Sequence, residues 1–286
     1  MNSGPLLFLG LFAAMASSFA GLILAPQLQI GRQPVRVLAA TGELYPAPRP
    51  GLAQQGAEVY RANGCVECHS QQVRQTGADI ELWLTDPGTN WTDAAKTLSL
   101  ATPFPTLPAR LLQGLTPERG QALAKALTDS GAVADVRVAP VGPDIERKWG
   151  TRLSVAQDYL RDYPVLIGNQ RLGPDLASVG ARLPDANWHL RHLYDPRLTV
   201  PGSMMPRYHY LFEKRVLQPG EQPSPDALRL DDDTKSSLEV VPKPEAHALV
   251  SYLLSLRVET PLFEAPAPKL KPVEPATNAP VATPAP

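Results

Sequence analysis

With 286 residues and a net charge of −1, the chain is long enough for one or two domains, and nothing in its charge points to nucleic acid or a polyanionic partner. Hydrophobic residues make up 43%, enough for a core, while 32 prolines exclude regular structure throughout and imply long irregular stretches. The only two cysteines lie three residues apart, so cysteine usage carries no disulfide information about compartment.

From Gly4 to Pro26 the chain carries no charge and is dominated by Leu, Phe, Ala and Ile. About 20 to 22 apolar residues at ~1.5 Å each span the ~30 Å hydrocarbon layer. A retained anchor and a signal peptide cut near Ser18-Phe19-Ala20 both fit this composition. No basic residue precedes the run and it continues through Leu24, so residues 1–26 are read as an anchor. Arg32 and Arg36 follow it and, by the positive-inside bias, favour a cytoplasmic position for what comes after. Residues 27–50, broken by Pro34, Pro46, Pro48 and Pro50, read as a tether.

Residues 51–63 have helical spacing and stop at Gly64, a residue suited to the left-handed position just past a helix. Gly56 within that helix costs about 1 kcal/mol relative to Ala. It is either merely tolerated or there to admit a close neighbour, the best partner being the helical run Pro244 to Arg257 with Tyr252 over the glycine. Immediately after Gly64 comes Cys65-Val66-Glu67-Cys68-His69, the attachment signature of c-type haem. Residues three apart share one face of a helical turn, so both sulfurs reach one porphyrin edge, and the next imidazole reaches the iron. Three other readings compete: a thioredoxin-like redox pair, a zinc site and a small disulfide loop. Zinc would need two further ligands at knuckle spacing, which no other cysteine can supply. Covalent haem c, one group held through Cys65 and Cys68, is the preferred reading.

Residues 77–142 read as a separate α/β insertion. Asp79 to Thr85 alternates as a half-buried strand does, Asp86-Pro87-Gly88 is a turn, and Thr92 suits a short helix. Thr116-Pro117 opens a second helix ending at Gly131, and Ala134 to Val138 alternates again. The expectation is a β-α-α-β unit with its two strands paired, serving docking or structure because it holds no Cys or His.

The chain returns to chemistry-bearing motifs after residue 143. A second axial ligand is expected from methionine, whose thioether favours ferrous iron. Met1 and Met15 fall in or before the anchor, leaving Met204 and Met205; Met205 is preferred because Pro206 stiffens the loop beside it. His189, His192, His209 and His247 are read as packed side chains rather than ligands. The other ring nitrogen of His69 needs a partner, for which the carbonyl of Pro174 is the candidate. Of Arg74, Arg171, Arg182 and Arg197, one or two are expected to neutralise haem propionates. Residues 219–240 read as a polar loop, and the Pro/Ala tail over 261–286 as disordered.

Three features resemble class I cytochromes c: Gly56-x3-Tyr60-x4-Cys65-x2-Cys68-His69, Gly173-Pro174-x-Leu176 and the Leu249-Val250-Ser251-Tyr252-Leu253 helix. Cys68-His69-Ser70-Gln71-x-x-Arg74, Arg171-x-Gly173-Pro174-Asp175-Leu176, His192-Leu193-x-Asp195-Pro196-Arg197 and Ser203-x-Met205-Pro206-x-Tyr208 are more specific. They resemble the mono-haem subunit II of cbb3-type cytochrome c oxidases. The resemblance implies a mainly α protein. Its class I cytochrome c domain would be discontinuous (51–76 and 143–260), carried on a single N-terminal transmembrane helix and interrupted by the small α/β insertion. It implies His69 and Met205 as iron ligands and Pro174 as the carbonyl partner of His69. Arg74, Arg171 and Arg182 are the candidate cofactor-binding arginines. No catalytic residue is expected, since two axial side chains leave iron no open position. The implied partners are the haem-copper catalytic subunit, a further cytochrome c subunit and the membrane. The implied location is the inner (cytoplasmic) membrane, with the haem domain in the periplasm, because covalent haem attachment takes place outside the cytoplasmic membrane; this outweighs the two arginines. The anchored cytochrome subunit of nitric oxide reductase, or a free-standing anchored electron shuttle, is the alternative. The insertion and the tail depart from the family pattern.

Overall fold

A computed structural model describes residues 3–29, 31, 34–38, 41–97, 106–228 and 238–259. The tail over 261–286 and residues 229–237 of the polar loop lie outside the described residues. The chain divides into two units: the residues up to Arg74 together with those from Arg147 onward, and Gln75–Glu146.

The N-terminal helix runs continuously over Gly4–Gln29, with mean hydropathy 2.1 and none of its apolar window buried in protein, and is long and apolar enough to cross a membrane. It stays helical through Pro26, which has no N–H and whose ring crowds the turn before it. A π-helical stretch, Ala20–Leu24, lies just upstream, and the Ala25 N–H bonds to the Ala20 carbonyl five residues back. Widening the turn there makes room for the proline.

Residues 27–50, expected as an irregular tether, are in part built into the first unit. Arg36–Val37 pairs antiparallel with Leu44–Tyr45. The Tyr45 hydroxyl donates to Asp158 Oδ1 at 2.7 Å, and Arg152 grips both oxygens of the same carboxylate at 2.8 and 3.0 Å. Arg49 pairs with Asp162 and lies over the Tyr252 ring, 5.4 Å from its centroid. Proline spacing shows where regular structure stops; it carries no information about side chains that fasten an irregular segment.

The core of this unit is a crossing of two helices, Gly51–Ala62 and Pro244–Ser255. A Cβ at Gly56 would lie 1.9 Å from the Ala248 carbonyl oxygen and 2.7 Å from Tyr252 Cβ, so glycine is there to let the backbones touch. Gly180 does the same in the short Val179–Arg182 helix, where a Cβ would sit 2.2 Å from the Leu254 carbonyl oxygen. Around these contacts pack Tyr60, Leu190, Leu193, Leu211, Phe212, Leu249 and Leu253. A hairpin also belongs here, Phe212–Val216 with Leu238–Pro242, so that of the polar loop expected over 219–240 only Leu238–Val240 are strand among the described residues. The first strand exposes four of its five residues, so it shows no apolar alternation.

The second unit is a three-stranded antiparallel sheet, with Gly77–Asp86 between Ala109–Leu115 and Val133–Val141. Helices Trp91–Thr97 and Pro117–Asp129 accompany it, the second capped by Thr116 Oγ1 accepting from the Arg119 N–H. Leu82, Leu84, Ala95, Leu127 and Ala132 form its core. The expected β-α-α-β order is thus corrected to β-α-β-α-β. The added strand, Ala-Arg-Leu-Leu-Gln-Gly-Leu, has adjacent leucines and a glycine at φ +74°, and its register against the central strand slips twice. A bulge breaks the period of two that would have marked it.

Candidate functional site: a histidine held by Pro174 beside two cysteines

Gly64 ends the Gly51–Ala62 helix at φ +65° and turns the chain into a single 3-10 turn, Cys65–Glu67. The Cys68 and His69 N–H groups both bond to the Cys65 carbonyl, at 3.2 and 3.0 Å. Cys65 and Cys68 both lie at that turn and are not joined to each other by a disulfide. Burial pushes the Cys65 thiol up to about 12. That is opposite to what a thioredoxin-like pair needs, namely a stabilised thiolate.

After Cys68 the chain runs extended and is clamped from the far side of the unit. The Gly173 N–H bonds to the Cys68 carbonyl at 2.9 Å, the Leu176 N–H to the Ser70 carbonyl at 2.8 Å, and the Gln71 N–H to the Ile167 carbonyl at 2.7 Å. The Tyr159 hydroxyl donates to the Gln71 carbonyl at 2.6 Å, and the Gln71 side chain meets the Tyr252 hydroxyl at 2.9 Å. Two glycines lie against His69. A Cβ at Gly173 would sit 2.3 Å from His69 Cε1, and one at Gly168 would sit 2.4 Å from the His69 carbonyl oxygen.

His69 Nδ1 lies 2.8 Å from the Pro174 carbonyl oxygen. A carbonyl only accepts, so Nδ1 carries the hydrogen and donates it, and Nε2 keeps its lone pair. Burial holds the imidazole pKa below its usual value, with the Pro174 carbonyl and Asp175 opposing the shift. The ring is therefore neutral at pH 7 with one nitrogen ready to ligate a metal.

Met205 is half-buried and packs against the same apolar core as Cys65, Val66, Leu176 and Tyr208, whereas Met204 is 82% exposed. The Met205 N–H donates to Ser203 Oγ at 3.3 Å, and the Tyr208 N–H ties the loop to the Leu193 carbonyl at 3.0 Å. Of the other histidines, His189 is buried with Nε2 2.8 Å from the Leu183 carbonyl. His192 Nδ1 lies 2.6 Å from Thr199 Oγ1, and its ring stacks on Trp188. His209 packs on Tyr194.

The arginines separate by position. Arg171 bonds to the Gln72 carbonyl and lies 3.6 Å from Asp175 Oδ2; Arg182 Nη2 donates to the Asp175 carbonyl at 3.0 Å. Both thus stand at the turn holding His69. Arg74 is exposed where the first unit ends. Arg197 is exposed beside Asp195, which Arg207 pairs at 2.7 Å. Asp175, at 0% exposure, is the residue that motif reading passed over.

The residues fit a haem. The Pro174 carbonyl leaves His69 Nε2 available to an iron, the Gly173 cradle keeps the ring clear of any side chain, and the Met205 thioether and the Cys65 sulfur border one core. Arg182 Nε and Ser178 Oγ are buried without a hydrogen-bond partner and would suit a propionate. A neutral, carbonyl-oriented imidazole beside a Cys-x-x-Cys turn is the donor set of a c-type cytochrome. Consistent with that class, a family model described as "Cytochrome C oxidase, mono-heme subunit/FixO" matches residues 136–223. The matched stretch holds Pro174, Asp175, Arg171, Arg182 and Met205 and begins after Cys65–His69. It supports the resemblance to a mono-haem subunit of a cbb3-type cytochrome c oxidase that the motifs carry. No curated protein matches the chain.

Proposed function

We propose that the chain is a membrane-anchored cytochrome with a class I cytochrome c fold, interrupted over residues 77–142, that relays single electrons to the haem-copper subunit of a cbb3-type terminal oxidase. Its haem c is bonded through Cys65 and Cys68 and ligated by His69 and Met205. The Gly4–Gln29 helix is the anchor, and the haem unit lies on the periplasmic side of the inner membrane. The observation that carries the reading is the 2.8 Å hydrogen bond from His69 Nδ1 to the Pro174 carbonyl, made across 105 residues of sequence.

Haem iron supplies one-electron oxidation and reduction without bond making. The chain's part is to hold that chemistry still. Pro174 fixes the tautomer and angle of His69, and the Gln71 and Leu176 contacts fix its backbone; Met205 would supply the second ligand, leaving iron no position for a substrate. A site so constrained carries electrons and binds no oxygen, so reduction of oxygen belongs to the partner subunit.

The test is to purify the intact membrane complex and ask what accompanies the chain and what the complex consumes. The expected result is co-purification with a large polytopic haem-copper subunit and a further cytochrome c subunit, with oxygen uptake. Consumption of nitric oxide in place of oxygen, or a chain that purifies alone, would contradict it.

A further inference from the structure

The Asp175 carboxylate joins two segments that come from opposite ends of the first unit. Ser70 Oγ donates to Oδ2 at 2.5 Å and the Gln72 N–H donates to the same oxygen at 2.8 Å. The Ala177 N–H donates to Oδ1 at 2.9 Å. The first two donors lie on the irregular segment leaving His69, and the third just beyond Pro174. One buried anion thus ties the imidazole's own segment to the segment whose carbonyl holds the imidazole.

Three neutral donors make the close contacts to this carboxylate, and the Arg171 guanidinium stands further off, 3.6 Å from Oδ2. Such donors stabilise a carboxylate and offset only part of its charge. Asp175 follows Pro174 directly and is hydrogen-bonded to Ser70, the residue after His69, so the carboxylate stands beside the hydrogen bond that holds the imidazole.

We propose that Asp175 is a positioning residue for the axial histidine, fixing the His69 ring and keeping a carboxylate beside its hydrogen bond to Pro174 that lowers the haem potential. The physical reason is that an anion beside a ligating imidazole favours the more positive iron state. The proposal rests on the reading of His69 as a haem ligand.

The experiment is a spectroscopically followed redox titration of the intact, detergent-solubilised protein with the variants Asp175→Asn, Arg171→Gln and Ser70→Ala. Asp175→Asn removes the charge and should raise the midpoint potential while the histidine–methionine spectrum persists. Arg171→Gln removes the nearest cation and Ser70→Ala a quenching donor, so each should lower it. A part played through structure alone would move all three the same way, or not at all, and either result overturns the proposal. Should Asp175→Asn not retain haem, the other two decide: a potential unchanged or raised in both overturns it. Wild-type protein without covalent haem would instead sink the reading beneath it, whereas haem-loaded variants with unmoved potentials sink this proposal alone.

Discussion

Gly56 and Ala248 touch through their backbones, with room for no carbon at the glycine: a Cβ there would lie 1.9 Å from the Ala248 carbonyl oxygen. The obstacle is main chain in the middle of a helix, so it cannot swing aside as a flexible side chain would. Gly56→Ala would raise the intrinsic helix propensity by about 1 kcal/mol and still destabilise the unit. Forcing the two helices apart should cost about 3 kcal/mol or more. Denaturant unfolding checks this, and a variant as stable as the parent would contradict the close packing.

The two adjacent methionines should behave differently. Met205→Ala removes a thioether in the core shared with Cys65 and should convert the haem to a high-spin or ligand-exchanging form. Met204→Ala removes an 82% exposed side chain and should leave the optical spectrum nearly unchanged. The opposite pattern would move the ligand to Met204.

The ion pair of Arg152 with Asp158 anchors the segment that precedes the Gly51–Ala62 helix, and its side chains are 5% and 0% exposed. Removing one partner leaves a buried charge, which typically costs about 3–5 kcal/mol. Arg152→Ala should therefore unfold at markedly lower denaturant concentration. Tyr45→Phe, which loses one hydroxyl from the same carboxylate, should cost only about 1 kcal/mol. Equal effects would mean that the pair is not held as a unit.

His192 supplies a pH dependence. Burial, with His189 and His69 adding to it, holds its pKa down at about 4 against an ordinary value of 6.5. Between those two values the unfolded chain binds a proton that the folded chain does not. Stability therefore falls as pH drops from about 6.5 to about 4 and levels off below. Allowing for the ring's partial exposure, the loss is on the order of 1 kcal/mol. Denaturation midpoints at pH 7 and pH 4.5 measure it, and His192→Gln should shrink the difference between them.

How much of this was legible in the sequence depends on where each signal resides. The Cys65–His69 turn and the stop at Gly64 are local, and spacing implies them; Gly56 left a tolerated glycine and a close neighbour both open, and the fold decides for the neighbour, the Ala248 carbonyl with Tyr252 beside it. Pro174 was recognisable as a carbonyl source because a proline turn has no competing N–H. Asp175 was not, because its importance arises only when Ser70 and Gln72 come within hydrogen-bonding reach from 105 and 103 residues away. The Ala109–Leu115 strand was hidden by its bulge, and the Phe212–Val216 strand by its solvent-facing side chains. The fastening of Tyr45 and Arg49 was hidden because ion pairs leave no period in the chain.

The most direct measurement is the mass of the intact mature chain after exposure, under denaturing conditions, to a thiol-alkylating reagent. The account predicts one added haem and no alkylation at Cys65 or Cys68. A chain lacking the haem mass, with both cysteines alkylated, would contradict it.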